Sequence, residues 1–385
     1  MVADGIVPAS LELEDVGGET DGRSLSDAVR TSRPFAYLAI SAGKLLALRD
    51  TVGQKPLYFG TGPGGTVAVA SLKTALARIG IQQPQPVLPG KLLSLGNAEP
   101  RVLFDGSLTR PEEINVTEEE ASTRLRELLV ASLESNVPTN SALAFSGGLD
   151  STLVAQAAKE NDQRPELITV GTKEDQEIKH AREVSRHLGL GLTTRILSRT
   201  EVLDCIGEVA RTIESSDPTA VGVSIPLFFA SKVAQTMGMD CLLAGQLSDE
   251  LFAGYGRFDE LARKEDPKLV GDEVWRSFLA ASVNDFEPGD KLATSHRLDL
   301  RCPFAFLPLV KYSLQLPAAL KVRVIGSKVV RKYILRRTAS SWKLPATVVE
   351  RPKKAVQYST GVQKILLKEA KRRRLSLSSL LEILL

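Results

Sequence analysis

Residues able to do chemistry gather at two places in this sequence. The first is Ser146-Gly147-Gly148-Leu149-Asp150-Ser151-Thr152, which follows the apolar run Ser141 to Phe145. An apolar strand that runs into two glycines and then a helix turns bare backbone N–H groups and a helix N-terminus toward an anion, at the carboxyl end of a sheet. The glycines allow the tight backbone, and the hydroxyls of Ser146, Ser151 and Thr152 add donors. A carboxylate at position 150 repels a phosphate, but it can hold a magnesium ion that bridges phosphate oxygens. The expected ligand is therefore a triphosphate with its metal. The plainer alternative is a Gly-rich strand-to-helix turn followed by an ordinary cap.

The second place is Leu242 to Tyr255, where Gly245-Gln246-Leu247-Ser248-Asp249-Glu250 follows another apolar run. It sets two carboxylates where a second parallel strand would end, so Asp150 and Asp249 are expected to share magnesium across the crevice. Acidic residues also suit a helix start on electrostatic grounds alone.

Two kinds of element have to hold these residues. Over the first hundred positions, short alternating apolar runs at 35–40, 44–48, 56–59, 66–70 and 91–95 are divided by turn formers such as Thr61-Gly62-Pro63-Gly64-Gly65, the pattern of a mostly antiparallel sheet. One short helix fits 71–79. Near Pro111 the pattern changes: Thr117 stands as a cap before Glu118, Glu119 and Glu120, and Leu125, Leu128, Leu129 and Leu133 follow with helical spacing. Strands at 141–145, 166–170, 193–197 and 239–244 then alternate with helices at 151–160 and 175–188. That alternation predicts an α/β fold, a parallel sheet with helices on both faces, over 115–385, preceded by a smaller antiparallel β domain over 1–110. Beyond Gly254 the chain reads as largely helical and grows basic, with Arg331-Lys332, Arg336-Arg337 and Lys371 to Arg374.

The first string resembles the S-G-G-x-D-S signature of the ATP pyrophosphatase superfamily, whose adenine nucleotide alpha hydrolase-like fold splits ATP between the α and β phosphates. The second resembles the G-E-G-x-D-E-x-F-G-G-Y motif of asparagine synthetases. Ile213 to Pro218, Ser224 to Leu227, His296 to Phe304, Leu344-Pro345 and Arg351-Pro352-Lys353-Lys354 are similar to further family segments, in the same order over roughly 115–365. The resemblance implies that Ser146, Gly147, Gly148, Asp150 and Ser151 bind the pyrophosphate end of ATP, with Leu143 in the same cofactor-binding set. It implies that Val170 and Gly245 flank the adenine, that Asp150 and Asp249 hold Mg2+, and that Lys353 sits over the reacting carboxylate, a role suited to a compact cation. The implied reaction is adenylation of a carboxylate, by default aspartate, with transfer to ammonia or another amine.

At Gln246 the sequence departs from the family, which has glutamate there. A carboxamide is no general base near neutral pH, although it can orient a nucleophile. Gln in this place is similar to a subgroup of archaeal synthetase-like proteins and the eukaryotic asparagine synthetase domain-containing protein. Leu247 replaces a family glycine, which suggests a reshaped pocket. A regulatory or scaffold protein that binds ATP without ligation stands as the alternative function.

The stretch Leu45 to Tyr58 resembles L-A-R-D-x-x-G-x-K-P-L-Y of the family's N-terminal glutamine amidotransferase domain. Working members carry a cysteine after the initiator methionine. Here the second residue is Val2 and the first cysteine is Cys205, and the domain is about half the expected length, so a degenerate domain without its nucleophile is expected.

Composition bounds the rest. A net charge of +3 gives no bulk case for nucleic-acid binding, which is not expected. Three scattered cysteines point to a reducing, cytoplasmic setting, and three histidines lack the companions of a zinc site. No apolar run reaches the ~20 residues of a membrane span. Small-molecule acid and amine substrates are the expected partners, with a homodimer or a separate ammonia source left open.

Overall fold

A computed structural model describes residues 33–41, 43–96, 99–172, 176–264, 266–351 and 360–384. The chain divides into two units, one formed by 1–110 with Ser282–Glu287, the other by Pro111–Ala281 with Pro288–Leu385. Among the described residues no helix is long and apolar enough to cross a membrane.

The first unit is antiparallel β. Strands β1 (Ala36–Ser41), β2 (Lys44–Arg49), β3 (Tyr58–Thr61), β4 (Val67–Ala70), β5 (Gln85–Pro86), β6 (Lys91–Leu95) and β7 (Arg101–Asp105) form one sheet in the order β1-β2-β6-β7 and another in the order β4-β3-β5. Period-two burial is plain in β1, where Tyr37 and Ala39 are buried while Leu38 and Ile40 face outward. β5 and β7 escape the sequence pattern because the first has two residues, one a proline, and the second is an exposed edge. After β2 the chain wraps its turn around a buried carboxylate: Asp50 accepts N–H bonds from Val52 at 3.1 Å and Gly53 at 2.7 Å. The inserted segment contributes Glu287, which accepts from the Tyr58 hydroxyl and lies 3.9 Å from Arg49 Nη2. Nothing in the pattern of residues 282–287 signals that return.

The second unit begins with helix Glu118–Asn136, capped as its sequence reads: Thr117 Oγ1 accepts from Glu120 N–H at 3.2 Å, and Glu120 Oε2 accepts from Thr117 N–H at 2.9 Å. The sheet is fully parallel, in the order β10-β9-β8-β11-β12, with β8 Ser141–Ala144, β9 Glu166–Gly171, β10 Leu192–Ile196, β11 Cys241–Leu243 and β12 Asp299–Arg301. Helices cover both faces. The central strands are continuous apolar runs because both of their sides are covered, and Ala142, Leu143, Leu167, Leu242 and Leu243 are fully buried.

After Gly254 the chain is largely helical, as its sequence reads, and the region also supplies β12 and a hairpin of β13 (Val322–Ile325) and β14 (Lys328–Arg331). β12 has three residues, too few to show a period.

The chain order matters for the site. From β8 the chain moves through β9 to β10 on one side, then returns to place β11 and β12 on the other. The order reverses between β8 and β11, and such a reversal opens a crevice at the carboxyl ends of the two strands.

Candidate active site

Both motifs open onto that crevice. The turn after β8 leads into helix Leu149–Glu160, with Gly148 at the cap position and Asp150 in the first turn. Its hydroxyls bind one another: Ser146 and Ser151 Oγ lie 3.3 Å apart, Gly148 N–H reaches Ser146 Oγ at 3.2 Å, and Ser151 Oγ donates to the Gly148 carbonyl at 3.3 Å. Ser146 is exposed and Gly148 half-buried, so the turn presents a hydroxyl and backbone to solvent, whereas Thr152 is fully buried and faces the core.

After β11 the short helix Ser248–Leu251 starts at once, and it brings Asp249 and Ser248 opposite the first motif. Ser248 Oγ donates to Asp150 Oδ1 at 2.8 Å. Between the two carboxylates stands a side chain that the sequence reading passed over. Lys332 is buried, and its ammonium lies 2.6 Å from Asp150 Oδ1, 2.8 Å from Asp249 Oδ1 and 3.1 Å from Ser248 Oγ. The contacts to Asp150 and Ser248 are hydrogen bonds and the contact to Asp249 is an ion pair, so one buried cation holds both carboxylates. Sequence alone read Lys332 as part of a basic run. The available signal was its position between the apolar pair Val329-Val330, half-buried in β14, and the buried face of helix Tyr333–Ser341.

Close approach has a backbone requirement. A Cβ on Gly254 would overlap Asp249 Oδ1 and Lys332 Cε, so only glycine leaves room for that ion pair. Leu247, where the family has glycine, holds φ at +73° and is fully buried. Its left-handed backbone leads into Ser248 and Asp249, and its apolar side chain sits in the core. Glu250, the second carboxylate of the motif, is buried and bonded by the Tyr255 hydroxyl, and burial together with neighbouring Asp249 pushes its carboxyl above the usual range.

The other expected site residues divide. Gly245 packs against Asp150, where an added Cβ would come within 3.0 Å of the Asp150 Cβ. Val170 is buried near the end of β9, and Leu143 is fully enclosed in β8 with no surface to offer a ligand. Gln246 is half-buried; its Oε1 accepts from Cys302 Sγ at 3.3 Å, and its amide packs over Gly289, where a Cβ would come within 2.8 Å of Nε2. Lys353 lies outside the described residues. The residues on either side of 352–359 are anchored beside β9: Arg351 Nη2 to Glu177 Oε2 at 2.6 Å, and Thr172 N–H to the Thr360 carbonyl at 2.9 Å.

Two carboxylates meeting at one point suit Mg2+, which takes one or two protein carboxylates and completes its shell with phosphates and water. Among the described residues no three His, Cys, Asp or Glu side chains gather as a self-sufficient metal site. Asp150 and Asp249 therefore fit a magnesium that arrives with a phosphate ligand, and Lys332 would share their oxygens with it.

The family profile described as Asparagine synthase matches residues 123–284 and 270–382. A Methanocaldococcus jannaschii protein, provisionally named a glutamine-hydrolyzing asparagine synthetase, is 28% identical over 88% of this chain and 70% of its own length. Asparagine synthetase B [glutamine-hydrolyzing] of Escherichia coli is 29% identical over 89% of this chain and 63% of its own length. The chain thus spans roughly two thirds of the length of these curated relatives. Among solved structures, the NMN synthetase of Francisella tularensis aligns with 70% of this chain and 87% of its own, at 12% identity and a TM-score of 0.36.

Proposed function

The chain belongs to the asparagine synthase family, and on that premise we propose that it is an ATP-dependent ligase that adenylates a carboxylate and passes the acyl group to ammonia or another amine. The observation that carries this reading is the convergence of Asp150, Asp249 and Lys332 beside the Ser146-Gly147-Gly148 turn.

In this reading the turn and the N-terminus of helix Leu149–Glu160 receive the β and γ phosphates through backbone N–H groups and the Ser146 and Ser151 hydroxyls. Lys332 adds a fixed positive charge where negative charge collects on the leaving pyrophosphate. Magnesium, held by Asp150 and Asp249, would neutralise phosphate charge. An oxygen of the acid substrate attacks the α phosphorus, the bond to the β-phosphate oxygen breaks, and pyrophosphate leaves. The amine then attacks the acyl carbon, AMP departs with the bonding electrons, and one proton is lost from nitrogen. Lys353 keeps in this scheme the role that the family resemblance implies, a compact cation for the charge on the acyl centre. Val170 and Gly245 flank the adenine. Gln246, holding its carboxamide against Cys302, orients the amine by hydrogen bonding and takes no proton. Aspartate with ammonia is the default substrate pair.

The first unit is read as amidotransferase-like without glutaminase chemistry. Its residues, 1–110 and 282–287, include no cysteine, and Cys205, Cys241 and Cys302 are all buried in the second unit.

Gln246 favours one alternative, an ATP-binding regulatory protein that has lost ligation. Pyrophosphate release measured with ATP, magnesium and a panel of acids separates the two. Release that depends on an acid supports the ligase; ATP binding without release under any acid supports the regulator.

A further inference from the structure

His180 has no part in the scheme above, yet it touches the phosphate turn. It is half-buried on helix Gln176–Leu188, and its Nε2 lies 2.9 Å from the Gly147 carbonyl oxygen. A carbonyl only accepts, so Nε2 carries the proton and donates, which fixes the tautomer. The turn rests directly on this helix: Gly147 holds φ at +68°, and a Cβ there would come within 2.9 Å of Ala181 Cα and 3.0 Å of His180 Cδ2.

The bond matters because of what lies on either side of it. The peptide joining Gly147 to Gly148 is flanked by two residues without side chains, so little in the chain itself prevents the whole plane from turning over. In a planar trans peptide the carbonyl and the next N–H point to opposite sides. With the Gly147 carbonyl tied to His180, the Gly148 N–H points the other way, to the side of the turn where it reaches Ser146 Oγ. Turned over, the peptide would offer a carbonyl oxygen to an incoming phosphate in place of a donor, and like partial charges would meet.

We propose that His180 is a positioning residue that holds the Gly147–Gly148 peptide with its N–H toward the phosphates of the nucleotide. The inference rests on the ATP reading of the site. Burial, and then the nearby Arg351 cation, hold the His180 imidazole below its usual pKa, so the neutral donor form prevails near neutral pH.

The test compares two variants of similar size in the full chain, His180→Met, which cannot donate, and His180→Gln, which can. Calorimetric titration with magnesium ATP and, separately, with adenosine gives the readout. The Met variant is expected to bind ATP about tenfold more weakly than the parent, while the Gln variant stays within about twofold and adenosine affinity is unchanged in both. Equal ATP affinity in the Met variant and the parent overturns the proposal. So does a loss as large for adenosine as for ATP, the mark of general destabilisation, or a Gln variant as weak as the Met one. A parent protein that binds no ATP overturns the nucleotide reading itself, and the role of His180 falls with it.

Discussion

The ammonium of Lys332 lies 2.6 Å from a carboxylate oxygen of Asp150, across 182 positions of sequence. The same ammonium is 2.8 Å from Asp249, so a lysine from the segment after β14 closes the crevice that the turns after β8 and β11 open. Two negative side chains at the rim of a sheet would otherwise repel, and the cluster explains how the protein holds them together before any ligand arrives.

Replacing Lys332 by Met leaves those carboxylates without their buried cation. Their side chains keep 16% and 19% exposure, so the cost to stability is expected at about 1–3 kcal/mol, below that of a fully buried pair. Magnesium should raise the melting temperature of the variant more than that of the parent, because it stabilises the native carboxylates alone. Thermal unfolding with and without the ion checks this; an equal response in both proteins contradicts it.

Gly254→Ala acts on the same cluster without touching a charge. The added methyl competes for space with Asp249 Oδ1 and the Lys332 side chain. Overpacking of this kind costs about 1–3 kcal/mol. Nucleotide affinity should fall with it, whereas the neighbouring Gly256, with open space around it, should tolerate alanine.

At Leu247 two effects oppose each other. Glycine there would release the left-handed backbone strain, worth roughly 1–2 kcal/mol, but would remove a fully buried side chain worth about 2–5 kcal/mol including the cavity left behind. Burial outweighs strain, so Leu247→Gly is expected to lower stability by about 1–3 kcal/mol. A denaturation midpoint at or above that of the parent would reverse the ranking.

The cysteines should be silent in the folded protein. All three are buried, and burial pushes the Cys205 thiol up to about 12, which leaves almost no thiolate at pH 8. A thiol-specific reagent followed by mass measurement is expected to label the native chain slowly and the denatured chain at Cys205, Cys241 and Cys302. Rapid native labelling would count against the buried assignment.

Much of the phosphate turn was legible because it is local. Ser141 to Ser151 specify strand, glycine turn and helix start within a dozen residues, each by short-range backbone preference. The same holds for the Thr117 cap and for the alternating strands of the first unit. Short or exposed elements were not legible: β5, β7 and β12 carry too little periodic burial to register. Lys332 was hidden for a different reason. A lysine beside an arginine has the composition of a solvated surface, and only its packing between β14 and helix Tyr333–Ser341 tells it apart.

By itself the sequence determined the class of fold, the position of the turn after β8 and the family to which the second unit belongs. Which charges face each other was decided by tertiary structure. Asp150 meets Asp249 because β8 and β11 are neighbours at the point where the strand order reverses, and Lys332 joins them because the hairpin β13–β14 ends there. Strand order follows from burying whole apolar surfaces against one another, a sum over distant residues that no local window of sequence contains.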